Sequence, residues 1–136
     1  MPMNPVVHFE MPYEDKDRAA GFYSKAFGWT SNMMGPEMGE YVVVATTETD
    51  GTTRMPLKPG SINGGLFKRT KPDQYPSVVI SVDDIQAAMK GVEAAGGKVL
   101  GGQKGMEPDD IPGVGLYVSI LDSEGNRVGI LQPKGM

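Results

Sequence analysis

With 136 residues and a net charge of −4, the chain is long enough for one domain that buries a sizeable core without disulfide or metal staples. It has no cysteine, which excludes a disulfide framework and thiolate metal sites and suits a reducing, cytoplasmic setting. The thirteen basic residues are scattered and form no nucleic-acid stripe, no apolar run approaches the ~20 residues of a membrane span, and the start lacks the charged-then-apolar pattern of a signal peptide.

In chain order, the first strand signal is Val6 to Met11. A helix follows from Asp15 to Phe27, where Ala19, Phe22, Tyr23, Ala26 and Phe27 recur on one helical face. Asp15 suits its N-cap and Gly28 the left-handed residue after its end. Strands are expected over Trp29–Met34, Glu40–Thr47 and Ser61–Lys68, with a tight turn at Asp50-Gly51 inside the long connection Glu48–Gly60. Pro72 and Pro76 bracket a linker. A strand over Ser77–Val82 then leads into a second helix, Asp84–Ala95, with a stripe of Ile85, Ala88, Met89 and Val92. Asp83 and Gln86 resemble a capping box, and Gly96-Gly97 ends the helix. Lys98–Leu100, Val114–Leu121 and Arg127–Gln132 complete the strands, with Gly101–Gly113 as a second long connection.

The order is βαβββ, linker, βαβββ: an internal duplication of pattern. The expected fold class is α+β, two such modules forming a cupped mixed β-sheet with the helices on its outer face. The expected organisation is one domain over 1–136, with modules at 5–70 and 76–133. Side chains alternate faces along a strand, and this sorts the residues. Val7 and Phe9, Ile62 and Leu66, Val78, Ile80 and Val82, and Val128 and Ile130 form aliphatic or aromatic faces that belong under the helices. The opposite faces mix polar, glycine and apolar residues: His8, Glu10, Asn63, Gly65, Phe67, Ser77, Val79, Ser81, Arg127, Gly129 and Leu131. That composition suits the wall of a ligand cleft with a few polar anchors.

His8-Phe9-Glu10, Asp15 through Phe22-Tyr23, and Phe27-Gly28-Trp29 resemble the opening of vicinal-oxygen-chelate (glyoxalase, bleomycin-resistance, extradiol dioxygenase) proteins. Ser81-Val82-Asp83-Asp84 resembles the start of their second module, and Asp122-Ser123-Glu124-Gly125-Asn126-Arg127-Val128-Gly129 their closing turn and strand. The resemblance covers nearly the whole chain. It implies the two-module fold and, from relatives, a homodimer. It does not assign a reaction, because the family includes isomerases, dioxygenases, epimerases, thiol transferases and drug-sequestering proteins. The resemblance implies that the ligand positions of its metal-dependent members fall on His8, Ser77 and Gly129 by motif, and on Gly65 by the internal repeat.

Glycine offers no donor and a serine hydroxyl is a poor neutral ligand, whereas divalent metals take imidazole or carboxylate donors, commonly three or more from protein. His8 is the sole histidine. Glu10 adds a second donor on the same face, and a third would have to come from Glu37, Glu40 or Glu107 in loops. The set reads as a degenerate metal site, with no cofactor and no divalent metal expected. His8 is either an acid/base or ligand-binding group or a hydrogen-bonded remnant of a metal site. Glu10 pairs with His8 or Arg127, more as a structural ion pair than a catalyst. Gly65 and Gly129, at matching places, reflect room for a ligand, close contact between halves, or simple packing. Met11, Met33, Met34, Met38, Met55 and Met106 read as gap fillers, an interface or an adaptable wall. Trp29 and Tyr41 read as stacking surfaces, core or interface. Lys68-Arg69-Thr70-Lys71 reads as a solvated linker.

The preferred function is metal-independent binding of a small, partly apolar organic molecule, drug or toxin sequestration being one version. Phe67, Val79, Leu131 and Trp29 would form walls, and His8, Glu10, Asn63, Ser77, Ser81 and Arg127 the polar contacts. The rival is a lyase, isomerase or dioxygenase-type enzyme of the glyoxalase kind using His8 and Glu10 as catalytic acid and base. A third reading is a structural homodimeric partner. Neither nucleic acid nor membrane is an expected partner.

Overall fold

The structure, a computed structural model, describes residues 3–134. It divides into two compact units, one of His8–Pro76 and the other of the residues up to Val7 together with those from Ser77 onward.

In the His8–Pro76 unit, β1 (Val6–Tyr13, entering the unit at His8), α1 (Lys16–Phe27), β2 (Thr30–Met33), β3 (Val42–Ala45) and β4 (Asn63–Lys68) follow in sequence, with a 3-10 turn at Pro36–Met38. The strand order is β2-β3-β4-β1; β1 runs parallel to β4 and the other pairs are antiparallel. The helix begins where expected. Asp15 has extended backbone, its carboxylate accepts from the Arg18 amide at 3.0 Å, and Gly28 closes the far end at φ 76°. Its buried face differs from the sequence reading. Phe22 and Phe27 are 57% and 64% exposed, while Ala20 is buried. The reason is local stacking: Tyr23 lies on Trp29 with ring centroids 4.6 Å apart and planes within 12°, and Phe22 meets Tyr23 edge-on at 5.0 Å. Tyr13, Val42, Val44 and Leu66 form the core beneath, flanked by Phe9, Met11, Ala19 and Trp29. Gly64 faces this core because a Cβ there would strike the Phe9 ring at 2.6 Å.

The second unit repeats the plan. It holds β5 (Ser77–Ser81), α2 (Ile85–Ala94), β6 (Lys98–Gly101), β7 (Asp109–Ile111), β8 (Gly115–Leu121) and β9 (Arg127–Pro133). The order is β5-β9-β8-β6, with β7 also pairing β8; β5 is parallel to β9. Parallel and antiparallel pairs make the sheet mixed and the class α+β, as expected. Val82, Ile85, Val99, Val118, Ile120 and Ile130 form its core. The cap of α2 is Asp84, whose carboxylate accepts from the Ala87 amide at 3.1 Å; Asp83 does not fill the role. This starts the helix at Ile85, which is fully buried, and the Ile85 amide is satisfied by the side chain of Gln132 at 2.9 Å.

Both long connections are more ordered than their composition suggests. Asp50 accepts from the Thr52 and Thr53 amides at 2.8 Å, and Thr49 bridges Pro56, so residues 48–57 form a small hairpin. Residues 101–113 contain β7, a strand the sequence reading missed, with the Asp109 carboxylate accepting from the Gln103 amide at 2.9 Å. The closing turn explains the Asp-x-x-Gly-Asn motif. Asp122 accepts from the Glu124 and Asn126 amides and from the Asn126 side chain at 2.8–3.0 Å, and Gly125 takes φ 83°. These bonds, led by those from Asn126, hold the Asp122 carboxyl below its usual range. The turn therefore stabilises the fold above the ordinary carboxylate pKa, and this contribution is lost as pH falls through the lowered value.

Candidate functional site

On β1, Phe9 and Met11 point to the core, so His8 and Glu10 share the opposite face. The parallel ladder sets His8 beside Asn63 and Glu10 beside Gly65. Tyr41, just before β3, lies on that same face, because Val42 and Val44 are buried in the core. These placements assemble a hydrogen-bonded line. The Tyr41 hydroxyl donates to Glu10 Oε2 at 3.0 Å and lies 2.9 Å from His8 Nε2. Tyr41 thus links the two residues that sequence reasoning singled out.

Gly65 makes the line possible. A Cβ at Gly65 would coincide with the Tyr41 hydroxyl and the end of its ring. The second unit repeats the device: a Cβ at Gly129 would come within 2.5 Å of the Tyr117 hydroxyl. The registers correspond as well. Gly65 pairs with Val43 and Gly129 with Ser119, and each tyrosine stands two residues before its glycine's partner. The matching glycines are therefore seats for tyrosine rings, which is the packing reading with its partners named. The signal was available in the alternation that puts Tyr41 with Val43, but the pairing that brings it over Gly65 is long-range.

Burial lowers the His8 pKa from 6.5, and the negative charge of Glu10 acts in the opposite, weaker sense. The folded state thus favours neutral imidazole. As pH falls below 6.5 the unfolded chain takes up a proton first, so stability declines until the lowered folded value is passed. Because the chain has one histidine, an NMR titration reads it without ambiguity. Its midpoint is expected below 6.5, rising on Tyr41→Ala if the removal of the ring admits water.

The other expected site residues have their own settings within each unit. Asn63 is a brace: its Oδ1 accepts from the Thr46 amide at 2.9 Å and its Nδ2 donates to Thr49 Oγ1 at 3.0 Å. Trp29, expected as a ligand wall, packs on the helix side against Tyr23 and Phe9. Phe67 is half-buried on the His8 side of β4. In the second unit Val79 is only 2% exposed, so it offers no open wall. Ser77, Ser81 and Leu131 are half-buried, the Ser81 amide donates to the Pro5 carbonyl at 2.9 Å, and Arg127 Nη2 lies 3.5 Å from Ser119 Oγ. Glu40 is engaged by Lys16 at 3.2 Å. A shallow trough of about 540 Å³ lies on the helix side, walled by Glu14, Asp15, Arg18, Phe22 and Arg69. It mixes charges of both signs, and Arg69 already donates to the Gln74 carbonyl at 3.1 Å.

The donor set does not fit a divalent metal. Gly65 and Gly129 carry no ligand atom and lie under tyrosine rings, and the Nε2 of His8 is taken up by Tyr41. Among the described residues no group of three or more His, Cys, Asp or Glu side chains converges for an ion.

Residues 6–47 match the family model described as bleomycin resistance protein-like N-terminal. An anthracycline biosynthesis protein of Streptomyces peucetius is 30% identical over 128 residues, covering 86% of this chain and 42% of that protein. A putative glyoxylase of Mycobacterium bovis is 29% identical over 126 residues, covering 91% and 42%. The chain thus spans about two fifths of the length of these curated relatives. Among solved structures, a variant of Streptomyces coelicolor methylmalonyl-CoA epimerase in complex with 2-nitronate-propionyl-CoA superposes with a TM-score of 0.67. It is 13% identical, and the match covers 98% of this chain and all of that one. The chain has the glyoxalase-like fold and is similar, over these stretches, to proteins of the vicinal-oxygen-chelate superfamily.

Proposed function

We propose that the chain binds a small, partly apolar organic molecule without a metal, on the face of the His8–Pro76 unit that carries His8, Glu10 and Tyr41. The observation that carries this is the hydrogen-bonded line itself, in which the Tyr41 hydroxyl lies 2.9 Å from His8 Nε2 and 3.0 Å from Glu10 Oε2. A fixed polar line beside the apolar rings of Tyr41 and Phe67 is the composition of an organic-ligand site. One relative's name refers to anthracycline biosynthesis, and the superposed epimerase is in complex with 2-nitronate-propionyl-CoA. Both support a small organic ligand. A homodimer, cytoplasmic residence and sequestration of a drug or toxin are carried as parts of the same proposal.

The rival enzyme reading keeps the same residues, with His8 and Glu10 exchanging protons with substrate. A thermal-shift screen of organic compounds, run with and without a chelator, tests the proposal. Hits are expected to survive the chelator and to lose at least ~tenfold in affinity in His8→Ala, equivalent to about 1.4 kcal/mol. Hits abolished by the chelator would refute metal-independent binding, and turnover lost in His8→Gln would favour the enzyme.

A further inference from the structure

Resting on that reading, we infer that Tyr41 is a positioning residue that fixes His8 as its Nε2–H tautomer, so that Nδ1 becomes the acceptor for a ligand hydroxyl, such as a phenol or enol. A hydroxyl has one proton, and Tyr41 directs it at the Glu10 carboxylate, which offers only acceptor sites when ionised. The 2.9 Å contact from Tyr41 to His8 Nε2 is then satisfied only if the ring nitrogen donates. The chain of bonds has one direction: His8 Nε2–H to the Tyr41 oxygen, and Tyr41 O–H to Glu10. A neutral imidazole with Nε2 protonated carries its lone pair on Nδ1.

Nδ1 has no side-chain partner among the described residues and is not among their fully buried atoms left without one, so a ligand donor can meet it. An acceptor held open in this way selects ligands that donate. The neighbouring Tyr41 ring adds apolar contact, so an aromatic or conjugated hydroxyl fits better than a small alcohol. A ligand presenting only carbonyl or ether oxygen meets a lone pair and gains nothing from His8.

Two readouts test this together. 15N-edited NMR of the sole histidine reads the tautomer, and equilibrium dialysis compares retention of 4-nitrophenol with that of 4-nitroanisole, which lacks the proton. In the wild type, Nε2 is expected to carry the proton, and the phenol to be retained ~tenfold over the anisole, the effect of one hydrogen bond to an otherwise unpaired acceptor. In Tyr41→Phe the tautomer preference relaxes and the retention ratio falls toward one. Should Tyr41→Phe not fold, Glu10→Gln is used instead, since its amide can donate as well as accept and so removes the direction of the line. A protonated Nδ1 in the wild type, or an unchanged ratio in the variant, overturns the inference. Equal retention of both probes overturns it while leaving the binding proposal standing, and retention of neither removes both.

Discussion

Gly65→Ala is expected to expel the Tyr41 ring and break the link between His8 and Glu10. The added Cβ coincides with the Tyr41 hydroxyl and the end of its ring, so the side chain must leave. The atom displaced is the tip of a movable side chain, so the fold survives. Overpacking of this kind costs about 1–3 kcal/mol. The functional cost is larger in proportion, because the contacts from His8 and to Glu10 both pass through the Tyr41 hydroxyl. Ligands found by screening are expected to weaken at least ~tenfold. The steric cause is separable from any backbone effect. Combining Gly65→Ala with Tyr41→Ala removes the collision, so the double variant is expected to be more stable than the sum of the single effects, yet still defective in binding. Strict additivity in chemical denaturation would show that Tyr41 is not what the glycine accommodates.

Gly115→Ala is expected to be the most damaging single-methyl addition, and its effect falls on stability. Gly115 has φ 142°, a conformation that L side chains rarely adopt, and it is paired with Ile111 on one side and Pro133 on the other. A Cβ there would strike the Gln132 carbonyl oxygen and approach the Lys134 amide at 2.9 Å. Those are backbone atoms held by the β8–β9 ladder and cannot rotate aside. Backbone strain of about 1–3 kcal/mol and a comparable packing penalty add to several kcal/mol, against a typical total stability of about 5–15 kcal/mol. Gly105→Ala is the control: φ is 137°, but nothing lies within 4 Å, so only the strain applies. Denaturant midpoints are expected to fall much further for Gly115→Ala than for Gly105→Ala. Equal shifts would show that close packing against Gln132 is not limiting.

What could be read from the sequence follows the range of the interaction that decides each feature. The first helix was legible at both ends because Asp15 and Gly28 act within one turn of it. The second was displaced by one residue at its start: Asp83 and Asp84 both suit a cap, and the choice follows the burial of Ile85 and its amide's bond to Gln132, 47 residues away. The acidic Asp109-Asp110-Ile111 segment has no alternation to mark it, and it is a strand because β8 supplies its partners. Face sorting on β1 and β4 was sound, since Phe9 and Leu66 enter the core and His8, Glu10 and Gly65 do not. The degenerate character of the family's ligand positions was also legible from residue types alone. The tyrosines that sit over Gly65 and Gly129 were not, because each reaches its glycine diagonally across a long-range strand pair. The bracing role of Asn63 is long-range as well: both ends of its side chain are occupied, by the Thr46 amide and the Thr49 hydroxyl.

The most direct test of metal-independent binding at the His8–Tyr41–Glu10 line is native mass spectrometry of the purified wild type beside His8→Ala. The expected result is a dimer mass without stoichiometric Zn, Mn, Fe or Ni, and a small organic adduct, co-purified or supplied from the screen, that is lost in His8→Ala. One metal ion per chain, present in the wild type and lost in His8→Ala, would contradict it.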